Sequence, residues 1–294
     1  MTAPRVFGII VTFRRPEDVR RTLAAIQHQT LAPDVLIVVD NEPSESLEHD
    51  VIASGAVYVP MPTNGGPAGG IAAGMLRVLN DASDRDVVVL VDDDNPPEDG
   101  DLLERLLHHL MSQDELVAGV GAMGARYNRR IGRLERVSDA ELVGGAVEVD
   151  YLGGNQLPIY RVPAVRSVGT FDAALFFGYE ELDFGLRLRS QGFRLVVPGE
   201  VALELRQRYG RLGVPASANR LRARASWRVY YGARNLIHIA RGHGTFSALV
   251  FNLAHHGVLR PIKLLANGRA GEAALSIRGT FDGAVERMGR RVEP

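Results

Sequence analysis

Three adjacent carboxylates, Asp92, Asp93 and Asp94, follow the apolar block Val87–Val91 in "VVVLVDDDNPPEDG". Such a run has two readings. One is a solvated turn whose Asp or Asn caps the next helix. The other is a seat for a hard divalent cation, with carboxylate oxygens on one side and substrate phosphate oxygens completing the shell. Three acids directly on a central strand favour the metal. A second acidic group, Glu180, Glu181 and Asp183, sits beside aromatics in "FFGYEELDFGLRLRSQG". A carboxylate near like charges or partly buried gains proton affinity, which suits a general base acting on a hydroxyl. Acids in a first helical turn also complement the helix dipole, and that reading stands beside the first. The glycine-rich "NGGPAGG" lacks the Lys-Ser/Thr ending of a phosphate loop and the spacing of a dinucleotide fingerprint. It is either a tight loop or a place where backbone approaches a bulky ligand.

The elements that must position these residues are legible as alternating strands and helices. "VFGIIVTF", "DVLIVVDNE", "AVYVPM" and "DVVVLVDDD" read as strands. Between and after them, "PEDVRRTLAAIQHQ", the second half of "TNGGPAGGIAAGMLRVLN" and "GDLLERLLHHLMS" read as helices. Strands apolar on both faces predict a mostly parallel α/β sheet covered on both sides. Ligands of such sheets bind beyond the strands' carboxyl ends, which is where Thr12, Arg14, Asp40, Asn41, Asn64 and Asp92–Asp94 fall. Further along, "VAGVGAM" and "VEVDYLGG" suggest strands, "GYEELDFGLRLRSQG" a helix ended by Gly192, and "FRLVVPGEVALELR" a return to strand. From about Gln207 strand signals fade into Arg-rich, helical sequence.

The chain has 294 residues, no cysteine and a net charge of −1. The missing thiols exclude disulfides, thiolate metal sites and cysteine nucleophiles. The near-neutral total conceals an asymmetry: residues 206–294 carry sixteen Arg or Lys against four Asp or Glu, so +12, which leaves −13 for residues 1–205. A cationic region of this kind faces solvent or something anionic, either a membrane surface or a phosphate-bearing substrate. The N-terminal apolar run stops at Thr12 without a signal-peptide cleavage pattern, so the expected location is cytoplasmic. "GTFSALVFNLAHHGVLRPIKLL" is too interrupted to span a bilayer and is suited to lying on one, at the inner face of the cell membrane. No nucleic-acid partner is expected.

In order and spacing, "IIVTFRRPEDVRRTLAAIQHQ", "VLIVVDNEPS", "PTNGGPAGGIAAGM", "VVLVDDDNPP" and "FFGYEELDFGLRLRSQGF" together resemble the motifs of family 2 glycosyltransferases of the GT-A fold. The resemblance is closest to the bacterial branch with galactofuranosyl- and rhamnosyltransferases of cell-envelope glycans. It covers residues 5 to 205, and "WRVYYGARN" and "GTFDGAVERMG" also resemble that branch. It implies a GT-A catalytic domain over 1–205, with a nucleotide-binding half to about 98 and an acceptor half after it. The Arg-rich, mostly helical region 206–294 packs on that domain.

By the same resemblance, Thr12, Phe13 and Arg14 lie along the nucleotide, Asp40 contacts its base or ribose, and Asn64, Gly65 and Gly66 line the pocket. Asp92 and Asp94 match the metal-binding pair, for Mg2+ or Mn2+, with Asp93 near the diphosphate or sugar. Glu181 falls at the catalytic base, with Glu180 and Asp183 supporting it or contacting the acceptor; the Glu-Glu pair leaves open which of the two is the base. Relatives often carry a further histidine metal ligand, whose position here is taken by Glu204. The implied reaction is inverting transfer of a sugar from a UDP- or dTDP-type donor to a glycan or lipid-linked acceptor. A sugar-phosphate nucleotidyltransferase is the rival, disfavoured because "TFRRPED" replaces the expected Gly-rich basic loop. A non-catalytic nucleotide-sugar-binding subunit is the third reading.

Overall fold

Apolar runs rich in β-branched residues, with no polar break, form the first strands, and all but the third of them suit positions inside a sheet. In the computed structural model, which describes residues 3–214 and 226–293, they are Val6–Thr12 (β1), Val35–Asp40 (β2), Val57–Pro60 (β3) and Val87–Asp92 (β4). The helices following them are Pro16–Gln27 (α1), Glu45–Ala53 (α2), Gly66–Asp81 (α3) and Leu102–Met111 (α4). Next come Val117–Val120 (β5), the hairpin Gly124–Asn128 (β6) and Arg133–Arg136 (β7), and the short helix Asp139–Val143 (α5). Val147–Val149 (β8), Tyr151–Leu152 (β9), Ile159–Arg161 (β10) and Val162–Val168 (α6) lead to Glu180–Ser190 (α7), Arg194–Val197 (β11) and Gly199–Arg208 (α8). Trp227–His243 (α9), Phe246–Ala254 (α10), Arg260–Ala266 (α11) and Ala270–Ala284 (α12) complete the chain, and one π turn, His255–Leu259, joins α10 to α11.

Eight strands form one sheet in the order β3-β2-β1-β4-β10-β5-β11-β8. All are parallel except β10 and β8, which run against their neighbours. Successive residues of β1 and β4 point to opposite faces. Phe7, Ile9, Val88 and Leu90 pack with Met75 and Val78 of α3 and Phe184 and Leu188 of α7. Val6, Ile10, Val87 and Val89 pack with α1, α2 and α4 through residues such as Leu23, Val51 and Leu106. The expected α/β class, mostly parallel with helices on both faces, is thus borne out. The glycines of α3 serve this packing, since a Cβ on Gly70 would stand 2.3 Å from a methyl of Val11. Helix and sheet therefore come closer there than any side chain allows.

Two expectations need correction. Only Arg194–Val197 of "FRLVVPGEVALELR" is strand; after Pro198 the chain turns into α8, because Val201, Ala202 and Leu205 recur at helical spacing and are buried. The boundary drawn at residue 205 therefore falls inside a helix. The three-residue β10, wedged antiparallel between β4 and β5, was not foreseen. It is too short to display a period.

Within the described residues, the Arg-rich C-terminal part consists of α9 to α12; Arg220, Arg222 and Arg224 lie outside the described residues. Tyr230 and Tyr231 of α9 are core residues, packed with Phe176, whereas Trp227 lies edge-on to Phe177 at 4.5 Å. Among the described residues, no helix is long and apolar enough to cross a membrane.

Candidate functional site

The carboxyl ends of β1, β2 and β4 open onto a cavity of about 2460 Å³. That is more than twice the roughly 1,000 Å³ upper end for a single small-molecule pocket, so there is room for two substrates. Thr12, Phe13, Asn41, Asn64, Gly66 and Asp92–Asp94 all contribute to its wall. Carboxylate oxygens of Asp92, Asp93 and Asp94 lie within 4.8 Å of one another. Burial, then repulsion from Asp94 and Asp93, pushes the Asp92 carboxyl up to about 7. Burial also raises Asp93. Arg15, at the head of α1, reaches Asp93 at 3.1 Å and pairs with Asp94. One guanidinium against three carboxylates leaves negative charge uncompensated, and an all-oxygen donor set of this kind suits Mg2+ or Mn2+. Glu204 does not join this group: on α8 it is exposed and held by Arg105 at 2.9 Å. Its assignment as a metal ligand followed from reading that segment as a strand.

Across the sheet end, α7 brings Glu180 and Glu181 to the same cavity. Glu180 is buried, its Oε2 has no hydrogen-bond partner, and burial together with the charge of Glu181 holds its proton affinity well above the usual carboxylate range. Glu181 is half-buried; burial raises it too, while backbone N–H groups, including that of Gly154, favour its charged form. Asp183 is not in the cavity wall. Its carboxylate accepts from Arg187 Nε at 2.8 Å and meets His243 Nε2 at 3.2 Å. Burial works against the charge, but these two partners hold the carboxyl below its usual range. Asp183 ties α7 to α9.

The backbone leading into α7 is unusual, because Phe176 and Tyr179 adopt left-handed φ values of 58° and 70° without being glycine. Strain of this kind persists only where the surroundings over-determine it. Here α9 does so through two fully buried residues, Arg234 and Asn235. Asn235 Nδ2 lies 3.0, 3.0 and 2.8 Å from the carbonyl oxygens of Leu175, Phe177 and Gly178. Arg234 Nη2 donates to Leu175 O at 2.7 Å, and its Nε donates to Asn235 Oδ1 at 2.9 Å. From the other side the loop presses on α3: a Cβ on Gly66, at φ +67°, would come within 2.1 Å of Phe176 O. Arg234 and Asn235 were missed as site residues, although their segment, "WRVYYGARN", stood out in the sequence.

The remaining candidates separate. Asn64 Oδ1 accepts from Gly66 N at 2.8 Å, and Asn41 Oδ1 accepts from Gly65 N at 2.8 Å, so both asparagines shape the loop that enters α3. Asp40 is buried, accepting from Tyr58 Oη and Glu42 N at 2.9 Å each. Arg14 is exposed and paired with Glu42. Neither Asp40 nor Arg14 lines the cavity, nor does Gly65. Cations line another part of the wall, including Arg136, Arg206, Arg211, Lys263 and Arg269. Burial and the neighbouring charge of Arg206 lower the affinity of Arg136 for its proton, as expected where guanidinium groups crowd.

Comparison with known proteins agrees with this geometry. The chain is 30% identical over 205 residues to the galactofuranosyltransferase GlfT1 of Mycobacterium tuberculosis, and 30% over 204 residues to that of Mycolicibacterium smegmatis. The first match covers 64% of this chain and 65% of the relative, the second 64% and 66%, so the chain spans just under two thirds of the length of these relatives. Among solved structures, a mannosyltransferase of Pyrobaculum calidifontis in complex with GDP-Man and Mn2+ superposes with a TM-score of 0.58 at 17% identity, covering 98% of this chain and 89% of that one. The structure of S. aureus TarS residues 1–349 gives 0.52 at 14% identity, covering 95% and 92%. These likenesses establish the GT-A fold. Residues 9–158, which are 150 of the 294, match the family described as Glycosyl transferase family 2, and with strand-end carboxylates and sheet order arranged as above, the chain belongs to glycosyl transferase family 2.

Proposed function

We propose that the protein is an inverting glycosyltransferase that moves a sugar, galactofuranose or rhamnose, from a UDP- or dTDP-type donor to a hydroxyl of a glycan or lipid-linked acceptor. The observation that carries this reading is the opening of Asp92–Asp94 and Glu181 onto one cavity large enough for donor and acceptor together. The similarity to GlfT1 favours galactofuranose.

In this reading Thr12, Phe13, Asn41 and Asn64 lie along the nucleotide, and Asp92 and Asp94 hold a divalent cation, Mg2+ or Mn2+, with Asp93 beside the diphosphate or sugar. When bound, the cation supplies positive charge where the leaving diphosphate gains negative charge. Glu181 accepts the proton of the acceptor hydroxyl as that oxygen forms its bond to the anomeric carbon. The bond from that carbon to the diphosphate oxygen breaks on the opposite face, its electron pair leaving with the diphosphate. Glu180, its carboxyl mostly buried and its proton affinity raised by burial and by Glu181, favours the neutral form and keeps a second negative charge away from the base. Asp183 acts on the base only by holding α7 in place. The cationic stretch of wall, Arg136, Arg206 and Lys263 among it, suits an acceptor that carries phosphate.

Glu181→Gln tests the assignment. The variant is expected to keep the thermal shift produced by nucleoside diphosphate with Mn2+ and to lose turnover by about 10²- to 10⁴-fold, the usual contribution of a positioned general base. Near-normal turnover would remove Glu181 from the role and pass it to Glu180.

A further inference from the structure

The helical run 246–266 turns its apolar side the wrong way for a protein in water. Its inward positions are Ala248, Asn252, His256, Pro261 and Leu264, a stripe that steps by three or four and takes one five-residue step across the π turn. The extra residue of that turn keeps the stripe in register over both helices. Ten residues of the run are exposed, and only Ser247 and Lys263 of them are polar. The others include Phe246, which is 81% exposed, and Val250, Val258, Leu259, Ile262 and Leu265, each between 47% and 59% exposed. Neighbouring α12 carries a second exposed series, Ile277 and Phe281, with Val285 just beyond its end. Scattered surface leucines need no explanation, but a continuous apolar helix face does.

Charge indicates what covers this face. From Arg206 to Gly271 the chain has no acidic residue in 66 positions and twelve basic ones. Within the run itself Arg260 and Lys263 are the only charges besides histidine, and His256 is buried, its proton affinity pushed down to about 3 by burial and by His255. Arg133 extends its guanidinium over the Phe251 ring at 4.6 Å, an apolar stem with a cationic tip at the edge of the face. Apolar side chains outward, cations beside them and no acid within the run itself, with neighbouring Glu272 tied to Arg269, is the chemistry that binds the headgroup boundary of an anionic bilayer.

We propose that the outward face of residues 246–266 docks the protein on an anionic lipid surface. The same run lends Leu259, Arg260, Lys263 and Leu264 to the wall of the cavity. A docked protein therefore holds its cavity next to the headgroups. If the transferase reading also holds, an acceptor hydroxyl carried by a lipid reaches the carboxylates without leaving the bilayer.

The test is co-sedimentation of the full chain with vesicles of phosphatidylcholine alone and of phosphatidylcholine mixed with phosphatidylglycerol. The protein is expected to bind the mixed vesicles and to lose about tenfold or more of that affinity in the double variant Phe246→Ser, Ile262→Glu. Leu116→Glu, which removes an exposed leucine elsewhere, is expected to bind as the parent does. The melting shift produced by UDP with Mn2+ is recorded for each variant, so loss of docking with the shift kept is separated from failure of the transferase reading or of the fold. Absence of binding to the mixed vesicles, equal binding by the double variant, or a lipid-free dimer that the double variant abolishes would each overturn the proposal; the last would make this face a contact between two copies of the chain.

Discussion

Replacing Asn235 with alanine removes the only side-chain donor of the described residues that reaches the Phe177 and Gly178 carbonyls, since Leu175 O keeps Arg234 Nη2. It also deprives Arg234 Nε of its acceptor. A buried polar group left unmet costs about 1–3 kcal/mol, and water from the adjoining cavity can satisfy part of the three. A loss of about 3 kcal/mol is therefore expected, which at about 1.6 °C per kcal/mol for a chain of this size lowers the Tm by about 5 °C. The catalytic effect is separate. Phe176 and Tyr179 hold left-handed conformations costing about 1–3 kcal/mol each, and once the clamp is gone the loop relaxes and carries the head of α7 with it. A shift on the order of 1 Å in Glu181 is worth about 10²-fold in turnover. The Asp92–Asp94 cluster, Asn41 and Asn64 stand on other segments, so donor Kd is expected to stay within about threefold. Calorimetric donor binding, a thermal melt and kcat at saturating donor distinguish the two effects. A lowered Tm with unchanged kcat would refute the idea that α9 positions the base, leaving Asn235 as a stability residue alone.

Other outcomes follow from the same geometry. The Asp92 carboxyl holds its proton to about pH 7 in the folded chain and releases it near 3.8 when unfolded, so its favourable share of stability is complete below about pH 4 and is lost as pH rises through 7. Without divalent cations, Asp92→Asn is expected to raise the Tm more at pH 8 than at pH 5, with little change at about pH 4; an equal change at pH 8 and pH 5 would show that the carboxyl is not held neutral. Glu180→Gln, which preserves shape and neutrality, is expected to keep kcat within about tenfold and to leave the Tm at pH 7 unchanged or higher; a loss as deep as that of Glu181→Gln would show that Glu180 carries the proton. Gly66→Ala combines a left-handed φ with a Cβ 2.1 Å from Phe176 O, so urea unfolding is expected to show a loss of about 2 kcal/mol or more, and wild-type stability would mean the loop is not pressed against α3.

Much of this protein was legible locally. The β1, β2 and β4 segments were readable because unbroken β-branched runs have no other stable home than the middle of a sheet. Once these were parallel, the carboxyl-end rule collected Thr12, Asn41, Asn64 and Asp92–Asp94 at one crevice without any coordinates, together with Arg14 and Asp40, which the structure leaves outside the cavity wall. Glu180 and Glu181 were identifiable from their resemblance to family motifs, as was the order of those motifs. Where a residue's role depends on its sequence neighbours, the chain displays it.

What only the tertiary structure decided depends on contacts between distant segments. A strand of three residues such as β10 shows no period, so its place between β4 and β5 exists only as pairing with partners already in position. "PGEVALELR" alternates well enough for a strand, and it is the buried side of α8 that makes it a helix and removes Glu204 from the site. Asp183 looks equivalent to its neighbours along the chain, yet its partner His243 lies 60 residues away and turns it inward. Arg234 and Asn235 carry no catalytic pattern and acquire their function from carbonyls 57 to 60 residues upstream. Composition, periodicity and motif order determined the sheet and the acids at its edge, because backbone propensity and burial act over a few residues. Which acid lines the cavity and which is tied up inside was settled by long-range packing, where a single distant side chain decides the matter.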